Sequence, residues 1–327
     1  MKLSFVIPAY NEEEYIGNCL KSVLDELKDK KLQSEIIVVN NASTDKTAEI
    51  AKSYKDVKVI YEPQKGLVMA RNAGYKKSSG DIVANIDADT ILTKGWVSTA
   101  ISEFEADPKL AALSGPFIYH DVSKKLRTIV RFFYYYVYYL FIINRYVLRI
   151  GSVLQGGNFV FRRSYFEKIN GYNVKDFTFY GEDADLAIRL NKVGNVKWTF
   201  KLPINSSGRR IAGEGPFTMT LRYSFNYLWV LLFKKPFSKE NFDIRFKKRF
   251  KTLIINPRDV RGEYFSAAIV ISSLLLLPIV TIVLTYNILF PQYQSKKSMA
   301  IPSRIYAEAK IIGSKIDSII THISTKQ

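Results

Sequence analysis

Residues 81–89 read Asp-Ile-Val-Ala-Asn-Ile-Asp-Ala-Asp, an apolar run that ends in two carboxylates two positions apart. The run predicts a buried β-strand, because short apolar segments bounded by polar residues fit a covered sheet. Asp87 and Asp89 then leave the tip of that strand on the same side. Carboxylate oxygens suit Mn²⁺ or Mg²⁺, which keep water or phosphate in their remaining positions. The stretch therefore predicts a metal site at Asp87 and Asp89, with a solvated turn as the alternative.

The chain before this strand alternates apolar runs with helical patterns. Such alternation predicts an α/β fold with a mostly parallel sheet that is covered on both faces. Ligands bind such sheets beyond the carboxyl ends of the strands, where the polar segments 8–12, 40–45 and 87–89 fall. The predicted strands are 3–7, 35–39, 57–61 and the run 81–86 whose strand ends at Asp87, and the predicted helices are 15–27, 48–54 (capped by Ser43 or Thr44) and 67–77.

Phosphate groups need another means of binding here than a glycine-rich loop. No Gly-x-Gly-x-x-Gly follows the first strand, and no Gly-x-x-x-x-Gly-Lys-Ser/Thr occurs in the sequence. Lys65, Arg71 and the helix N-terminus after Gly66 are the candidates for holding phosphate beside the metal. Solvated helix charges are the alternative interpretation of Lys65 and Arg71.

Together these residues resemble the family 2 inverting glycosyltransferases over roughly residues 1–200. The resemblance implies a Rossmann-like GT-A fold that binds a nucleotide sugar donor and a divalent metal. It also implies that the opening motif contacts the nucleoside, that 87–89 binds metal and that Glu182-Asp183 supplies a general base. The matching segments are 6–12 (with Pro8, Ala9, Tyr10, Asn11 and Glu12), 65–72, 87–89, 156–163 and 181–190.

Asn41 departs from the family pattern, which usually has acidic residues at this point of the chain. By position, Asn41 replaces the carboxylate that accepts the N–H of the base. An asparagine carbonyl can still accept that bond, but it carries no charge. Uridine diphosphate is the first expectation and guanosine diphosphate the second, and a structural Asx turn without ligand contact is the alternative.

Sugar transfer requires a stabilised leaving diphosphate and an incoming oxygen on the opposite face of the sugar. For a hydroxyl acceptor, Asp183 is the predicted general base and Glu182 positions it or contacts the acceptor. For a lipid phosphate acceptor, whose oxygen is already ionised, Asp183 serves placement instead. The alternative for both residues is favourable negative charge at a helix N-terminus. Arg209 and Arg210 follow in a loop that suits a diphosphate, with solvent or lipid headgroups as alternatives.

The remaining sequence predicts membrane association. Residues 266–290 carry no charged side chain and are long enough to span a bilayer, with a kink at Pro278, and a helix hairpin that re-enters from the same side is the alternative. A dense basic block precedes this stretch, so the positive-inside rule predicts a single span with a cytoplasmic catalytic domain. The predicted regions are a GT-A domain (1–215), a basic and aromatic juxtamembrane region (216–263), a transmembrane segment (264–290) and a tail that forms an amphipathic helix or a poorly ordered end (291–327).

Two aromatic segments, 130–143 and 223–233, predict contact with the membrane surface, the first within an insertion at 127–150. Core helices of an enlarged domain are the alternative for both. The formal charge of +18 accompanies these apolar segments, which favours anionic lipid over nucleic acid as a partner.

The sequence therefore predicts a metal-dependent inverting glycosyltransferase that moves a sugar to a lipid-linked acceptor at the cytoplasmic membrane face. The alternative is a catalytically inactive, nucleotide-binding membrane scaffold of a glycan assembly complex. The sequence carries no signal for the oligomeric state.

Overall fold

The structure is a computed structural model that describes residues 1–28, 30–143, 145, 152–214 and 216–236. The described residues fall into two compact units, residues up to 209 with 226–236, and residues 210–214 with 216–225. No helix in the described ranges is long and apolar enough to cross a bilayer. The predicted span at 264–290, the tail and the basic block beyond Lys235 lie outside the described residues.

The described elements alternate strands and helices as the sequence predicts. The strands are β1 (Leu3–Ala9), β2 (Ser34–Asn40), β3 (Val57–Tyr61), β4 (Ile82–Ile86), β5 (Thr90–Leu92), β6 (Leu110–Ser114), β7 (Phe117–Tyr119), β8 (Asn158–Arg162), β9 (Asn195–Trp198) and β10 (Ile204–Ser206). The helices are α1 (Ile16–Leu27), α2 (Thr47–Lys52), α3 (Leu67–Lys77), α4 (Trp96–Ala106), α5 (Lys124–Ile142), α6 (Arg163–Lys168), α7 (Glu182–Leu190), α8 (Arg209–Glu214) and α9 (Pro216–Phe233).

The main sheet of the described chain has the strand order β3-β2-β1-β4-β8-β6-β9. Strands β3, β2, β1 and β4 run parallel, as do β6 and β9. Strand β8 is antiparallel to both of its neighbours, β4 and β6. The predicted mostly parallel sheet is confirmed, and β8 is the exception that brings its N-terminal end to the carboxyl end of β4.

The core lies on both faces of this sheet because buried side chains alternate along the central strands. On β1, Phe5 and Ile7 join the cluster under α1 and α4, whereas Val6 joins the cluster under α3 and α7. All three side chains are fully buried. A strand buried on both faces reads as a continuous apolar run, which is why the strands stand out in the sequence.

A second sheet with the order β5-β10-β7 carries the loop that follows β10 to the site. Ser206 at the end of β10 lies opposite Thr90 on β5 and Tyr119 on β7. Thr90 directly follows Asp89, and the Ser207 N–H donates to the Asp89 carbonyl over 3.2 Å. This pairing places residues 207–209 next to the tip of β4.

The predicted cap of the second helix is wrong. Helix α2 begins at Thr47, whose N–H donates to Asp45 Oδ1 over 3.0 Å. Ser43 and Thr44 instead bond to Asn11, through the Asn11 N–H to Ser43 Oγ and the Thr44 N–H to Asn11 Oδ1. A local capping pattern does not reveal this use, because Asn11 is more than thirty residues away in the chain.

Helix α5, the predicted interfacial segment, presents aromatic side chains on two sides. Tyr134 and Phe141 are buried, and Tyr134 stacks on Trp198 of β9 with 5.9 Å between ring centroids. Phe132, Tyr135 and Tyr139 are 67%, 55% and 54% exposed and share one face at helical spacing. The helix is therefore packed on the domain by one side while the other remains an exposed aromatic surface.

Two arginines that flank the aromatic segment of this helix have internal partners. Arg127 donates to the carbonyls of Tyr119 and His120, and Arg145 Nη2 donates to Asn195 Oδ1. These contacts connect Arg127 and Arg145 to neighbouring parts of the domain, and membrane contact by the segment stays a prediction. Arg131 is exposed, as expected for a headgroup contact.

Candidate functional site

The site begins where β4 ends, because β8 approaches that end from the opposite direction. The Asp87 N–H donates to the Gly157 carbonyl over 3.3 Å. Gly157 has a φ of 83°, and a Cβ at this position would lie 2.1 Å from Asp87 Oδ2. Only glycine allows this backbone to lie against the Asp87 carboxylate.

Arg71 of α3 lies at the centre of a set that we call the buried cluster, formed by Arg71, Asp87, Glu182 and Asp183. The Arg71 guanidinium donates to Glu182 Oε1 and, over 3.1 Å, to Asp87 Oδ1. The Arg71 and Glu182 side chains are 1% and 6% exposed. Arg71 therefore joins the tip of β4 to the start of α7 rather than lying on a solvated helix face.

Asp183 is held by backbone N–H groups at the N-terminus of α7. The Ala184 N–H donates to Asp183 Oδ1 over 2.8 Å, and the Gly156 N–H donates to Asp183 Oδ2 over 3.2 Å. Each carboxylate oxygen has a further lone pair for an incoming proton. The consecutive glycines 156 and 157 thus touch Asp183 and Asp87 respectively.

Burial raises the pKa of both carboxyl groups at the start of α7. For Glu182 the Asp183 charge raises the pKa further, while the Arg71 guanidinium opposes the shift. For Asp183 the bonds from the Ala184 and Gly156 N–H groups and the Arg71 charge oppose the effect of burial. A buried carboxylate pair with raised pKa values suits proton transfer near neutral pH.

A second set, the open cluster, consists of Glu12, Asp89 and Arg209. Arg209 Nη2 donates to both Glu12 oxygens over 2.7 and 2.8 Å and lies 3.0 Å from Asp89 Oδ2. The guanidinium also lies 4.5 Å from the centre of the Tyr15 ring. The Arg209 side chain is 21% exposed, so this cluster is far more accessible than Arg71.

The donor set of the two clusters fits a divalent cation that shares its coordination with phosphate. Five carboxylates lie at this edge of the sheet with the guanidinium groups of Arg71 and Arg209 among them: Glu12, Asp87, Asp89, Glu182 and Asp183. Among the described residues, no group of three or more His, Cys, Asp or Glu side chains converges as a complete metal cage. Asp87 and Asp89 would therefore hold Mn²⁺ or Mg²⁺ together with oxygens from outside the protein.

Asn41 is 5% exposed, and its side chain bonds to the backbone of a neighbouring loop. Its amide donates to the carbonyls of Glu62 and Gln64, and its oxygen accepts the Gly66 N–H over 2.9 Å. Asn40 Oδ1 accepts the Ser43 N–H over 3.0 Å. These contacts favour the structural-turn interpretation of the asparagine pair, and base contact by Asn41 stays a prediction.

The opening motif lies at the same edge of the sheet as the two clusters. Pro8 and Ala9 end β1, and the Asn11 backbone has a φ of 54°, which asparagine tolerates better than most residues. The Glu12 N–H donates to Thr47 Oγ1 over 2.7 Å. Lys65 Nζ bonds to the Tyr10 hydroxyl over 2.9 Å, so this predicted phosphate ligand lies beside the opening motif.

The structure brings most of the predicted site residues together, although with unexpected partners. Arg71, predicted to bind phosphate, contacts carboxylates on both sides and is inaccessible, so its contacts indicate a positioning role. Arg210 belongs to the other compact unit. Asp185, adjacent to the predicted base, pairs with Arg189 four residues on.

Sequence reasoning missed Asp121, which holds the turn that carries Arg209. Its carboxylate accepts the Ser207 hydroxyl over 2.7 Å and the Gly208 N–H. Asp121 lies more than eighty residues before this turn, so no local pattern connects them. The three-strand pairing of β5, β10 and β7 is the feature that would have indicated it.

Two protein-family profiles match this chain. The profile described as glycosyl transferase family 2 matches residues 4–170. A second profile, described as the N-terminal domain of galactosyltransferase, matches residues 146–201. Together the two matches cover every residue of both clusters except Arg209, which lies beyond residue 201.

Curated relatives match over part of their length. The chain is 33% identical over 214 residues to the probable glycosyltransferase YdaM of Bacillus subtilis, covering 59% of this chain and 47% of that protein. It is 37% identical over 117 residues to poly-beta-1,6-N-acetyl-D-glucosamine synthase of Staphylococcus aureus, covering 35% and 28%. The chain thus spans less than half the length of either relative.

Solved structures share the fold at low sequence identity. A mannosyltransferase from Pyrobaculum calidifontis is 18% identical with a TM-score of 0.53, covering 97% of this chain and 86% of that one. TarS of S. aureus is 18% identical with a TM-score of 0.51, covering 70% and 72%. These likenesses confirm the α/β GT-A type of fold.

Proposed function

From the premise that this chain belongs to glycosyl transferase family 2, we propose that it transfers a sugar from a nucleoside diphosphate to a lipid-linked acceptor. The observation that carries the proposal is the meeting of Asp87 and Asp89 with Glu182 and Asp183 at one end of the sheet. Arg71 and the two glycines 156 and 157 join these pairs. One pair suits the leaving diphosphate and the other the attacking oxygen.

In this proposal Asp87 and Asp89 hold Mn²⁺ or Mg²⁺ against the diphosphate. The metal, when bound, offsets the negative charge that develops on the leaving group. Arg209 and Lys65 supply further positive charge at the same edge of the sheet. The Pyrobaculum fold neighbour was solved with GDP-Man and Mn²⁺, which supports this cofactor by analogy. We take UDP as the first donor nucleotide and GDP as the second.

On the acceptor side, Asp183 takes the proton of an attacking hydroxyl, and Glu182 positions the acceptor beside it. The raised pKa of Asp183, which follows from burial, makes it a better proton acceptor than an exposed carboxylate. Arg71 fixes Glu182 relative to Asp87. A single displacement on the face opposite the diphosphate inverts the anomeric configuration. For an ionised phosphate acceptor, Asp183 would only place the oxygen.

The test is transfer of label from radiolabelled UDP- and GDP-sugars into organic-extractable lipid, with membranes that contain the full chain. Asp89→Asn and a chelator should each abolish incorporation. Asp81→Asn is the matched control, because Asp81 lies at the opposite end of the same strand and bonds to the Lys2 N–H. No metal-dependent incorporation from any donor would overturn the proposal in favour of a non-catalytic scaffold.

We further propose that the exposed aromatic face of α5 lies on the cytoplasmic membrane surface beside the acceptor site. Phe200, which follows β9, extends this face, with ring centroids 5.0 Å from Tyr135 and 5.4 Å from Tyr138. Arg131 and Lys201 are exposed next to these rings. Aromatic rings flanked by cations suit an anionic headgroup region. The uncharged stretch 266–290 supplies the proposed anchor in the same chain.

Spin labelling of the full chain in anionic vesicles tests this surface, because the native Cys19 is buried. A label at Phe132→Cys should be accessible to oxygen and protected from a water-soluble nickel complex. Tyr61→Cys is the control, since Tyr61 is 65% exposed against 67% for Phe132 and lies on the opposite edge strand, β3. Equal nickel accessibility at both positions would contradict membrane contact by α5.

A further inference from the structure

Arg209 forms an ion pair with Asp89, the carboxylate that the proposed metal requires. Its guanidinium lies 3.0 Å from Asp89 Oδ2 and bonds to both oxygens of Glu12, which is 4% exposed. A guanidinium 3.0 Å from a carboxylate oxygen takes up space and offsets charge that a cation at that oxygen would use. Arg209 and a divalent cation therefore compete for Asp89.

The backbone holds Arg209 at this place. Ser207 and Gly208 are bound to the Asp121 carboxylate, and the Ser207 N–H donates to the Asp89 carbonyl. A Cβ at Gly208 would lie 2.2 Å from Val122 Cγ1, so the turn packs closely against the loop after β7. The long side chain of Arg209 thus extends from an anchored turn directly beside Asp89.

The contrast with Arg71 indicates that the Arg209 contact can exchange. Arg71 is 1% exposed, whereas Arg209 and Asp89 are 21% and 17% exposed. Arg209 thus reaches solvent on the Asp89 side, where its guanidinium can pass to another anion at lower cost than the enclosed Arg71, while Glu12 is buried at 4% exposed. A guanidinium also binds phosphate oxygens as well as carboxylates, in a bidentate manner.

We propose that Arg209 is an exchangeable counter-cation: it neutralises Asp89 and Glu12 in the empty enzyme and moves to the diphosphate when donor and metal bind. Arg209 thereby weakens metal binding when no nucleotide is present, and it couples the binding of the metal to that of the diphosphate. This inference rests on the proposed function, because it requires a metal at Asp89 and a diphosphate donor. By linkage, the diphosphate must then raise metal affinity by drawing Arg209 away.

The experiment measures Mn²⁺ binding by electron paramagnetic resonance of the free ion, with the full chain in membranes and no donor. Arg209→Gln should bind Mn²⁺ about tenfold more tightly than the wild type or better, because juxtaposed like charges cost more than one tenfold step. Arg209→Lys, which keeps the charge but not the fork, should fall between them. Lys58→Gln, a change of the same charge on the exposed edge strand β3, should leave the affinity unchanged.

Repeating the titration with UDP tests the coupling. UDP should increase the Mn²⁺ affinity of the wild type by a larger factor than that of Arg209→Gln, because the variant has no guanidinium to release. Equal or weaker Mn²⁺ binding by Arg209→Gln without UDP would overturn the inference and leave the proposed function intact. No Mn²⁺ binding by the wild type even with UDP would overturn both this inference and the proposed function. Mn²⁺ binding by the wild type without any transfer of sugar would count against the proposed function alone.

Discussion

The buried and open clusters use the same chemistry, one arginine between two carboxylates, in different surroundings. Arg71 is 1% exposed and comes from the middle of a packed helix, whereas Arg209 is 21% exposed and is the first residue of the short helix α8, where the sequence predicted a loop. A buried arginine that bridges two elements fixes their geometry, since moving it leaves unpaired charge inside the protein. A partly exposed arginine can change partners more easily. The difference in burial is therefore why we infer that Arg71 fixes the geometry of its carboxylates, whereas Arg209 exchanges Asp89 for the diphosphate.

The largest expected difference between the clusters is in stability. Arg71→Met should lower the free energy of unfolding by about 3–5 kcal/mol, because it leaves buried Glu182 without its charge partner. Arg209→Met should lower it by less, about 1–3 kcal/mol, because the Asp89 side of this pair reaches solvent although Glu12, at 4% exposed, also loses its partner. Urea unfolding of both variants measures the difference. Equal losses would show that burial does not separate the two arginines.

The pH dependence of transfer to a hydroxyl acceptor should depend on Arg71 next most strongly. The base must be ionised, so activity falls as the pH falls through the pKa of the Glu182 and Asp183 pair, which burial raises. Removing the opposing positive charge in Arg71→Gln should move this acid limb to higher pH by about 1–3 units. Arg71→Lys should keep the limb near its wild-type position. Profiles of kcat/KM against pH report the shift. An acid limb that does not move in Arg71→Gln would show that Arg71 does not control the pKa of the base.

Gly157 tests the junction between the clusters. Gly157→Ala places a Cβ against Asp87 Oδ2, so Mn²⁺ affinity measured with UDP should fall by about 10–100-fold, as for other disturbed supports of metal ligands. Gly95→Ala is the matched control, because Gly95 has a similar φ of 85° but nothing within 4 Å of the added Cβ. Equal effects of the two substitutions would assign the loss to backbone strain.

The smallest expected effect concerns the loop that supports the open cluster. Ala42 has a φ of 58°, a left-handed conformation that costs a residue with a Cβ roughly 1–2 kcal/mol. Ala42→Gly should therefore raise stability by about 0.5–1 kcal/mol after the larger chain entropy of glycine is included. Ala48→Gly within α2 should lower stability by about 1 kcal/mol. Thermal unfolding midpoints that shift in the same direction would contradict this account of the loop.

The sequence predicts the sheet and the grouping of the candidate site residues far better than their contacts. Strands β3 and β4 and helix α3 lie where the periodicity places them, because continuous apolar runs and helical spacing are local signals. The partners of Arg71 are not local, since Glu182 lies 111 residues away. The same holds for Phe200, which joins the α5 face only through the packing of β9. Residue type and order indicate the chemistry, and tertiary packing decides which cation is buried.

The measurement that tests the central claim most directly is the anomeric configuration of the sugar in the lipid product, determined by nuclear magnetic resonance with the donor found in the transfer assay. The account predicts a single displacement at the anomeric carbon, with the diphosphate leaving on the side of Asp87 and Asp89 and the acceptor oxygen attacking from the side of Asp183. The product should then have the anomeric configuration opposite to that of the donor. Asp183→Asn should slow formation of that product from a hydroxyl acceptor without changing its configuration. A product that retains the donor configuration would contradict the account, because retention requires a second displacement for which this arrangement assigns no nucleophile.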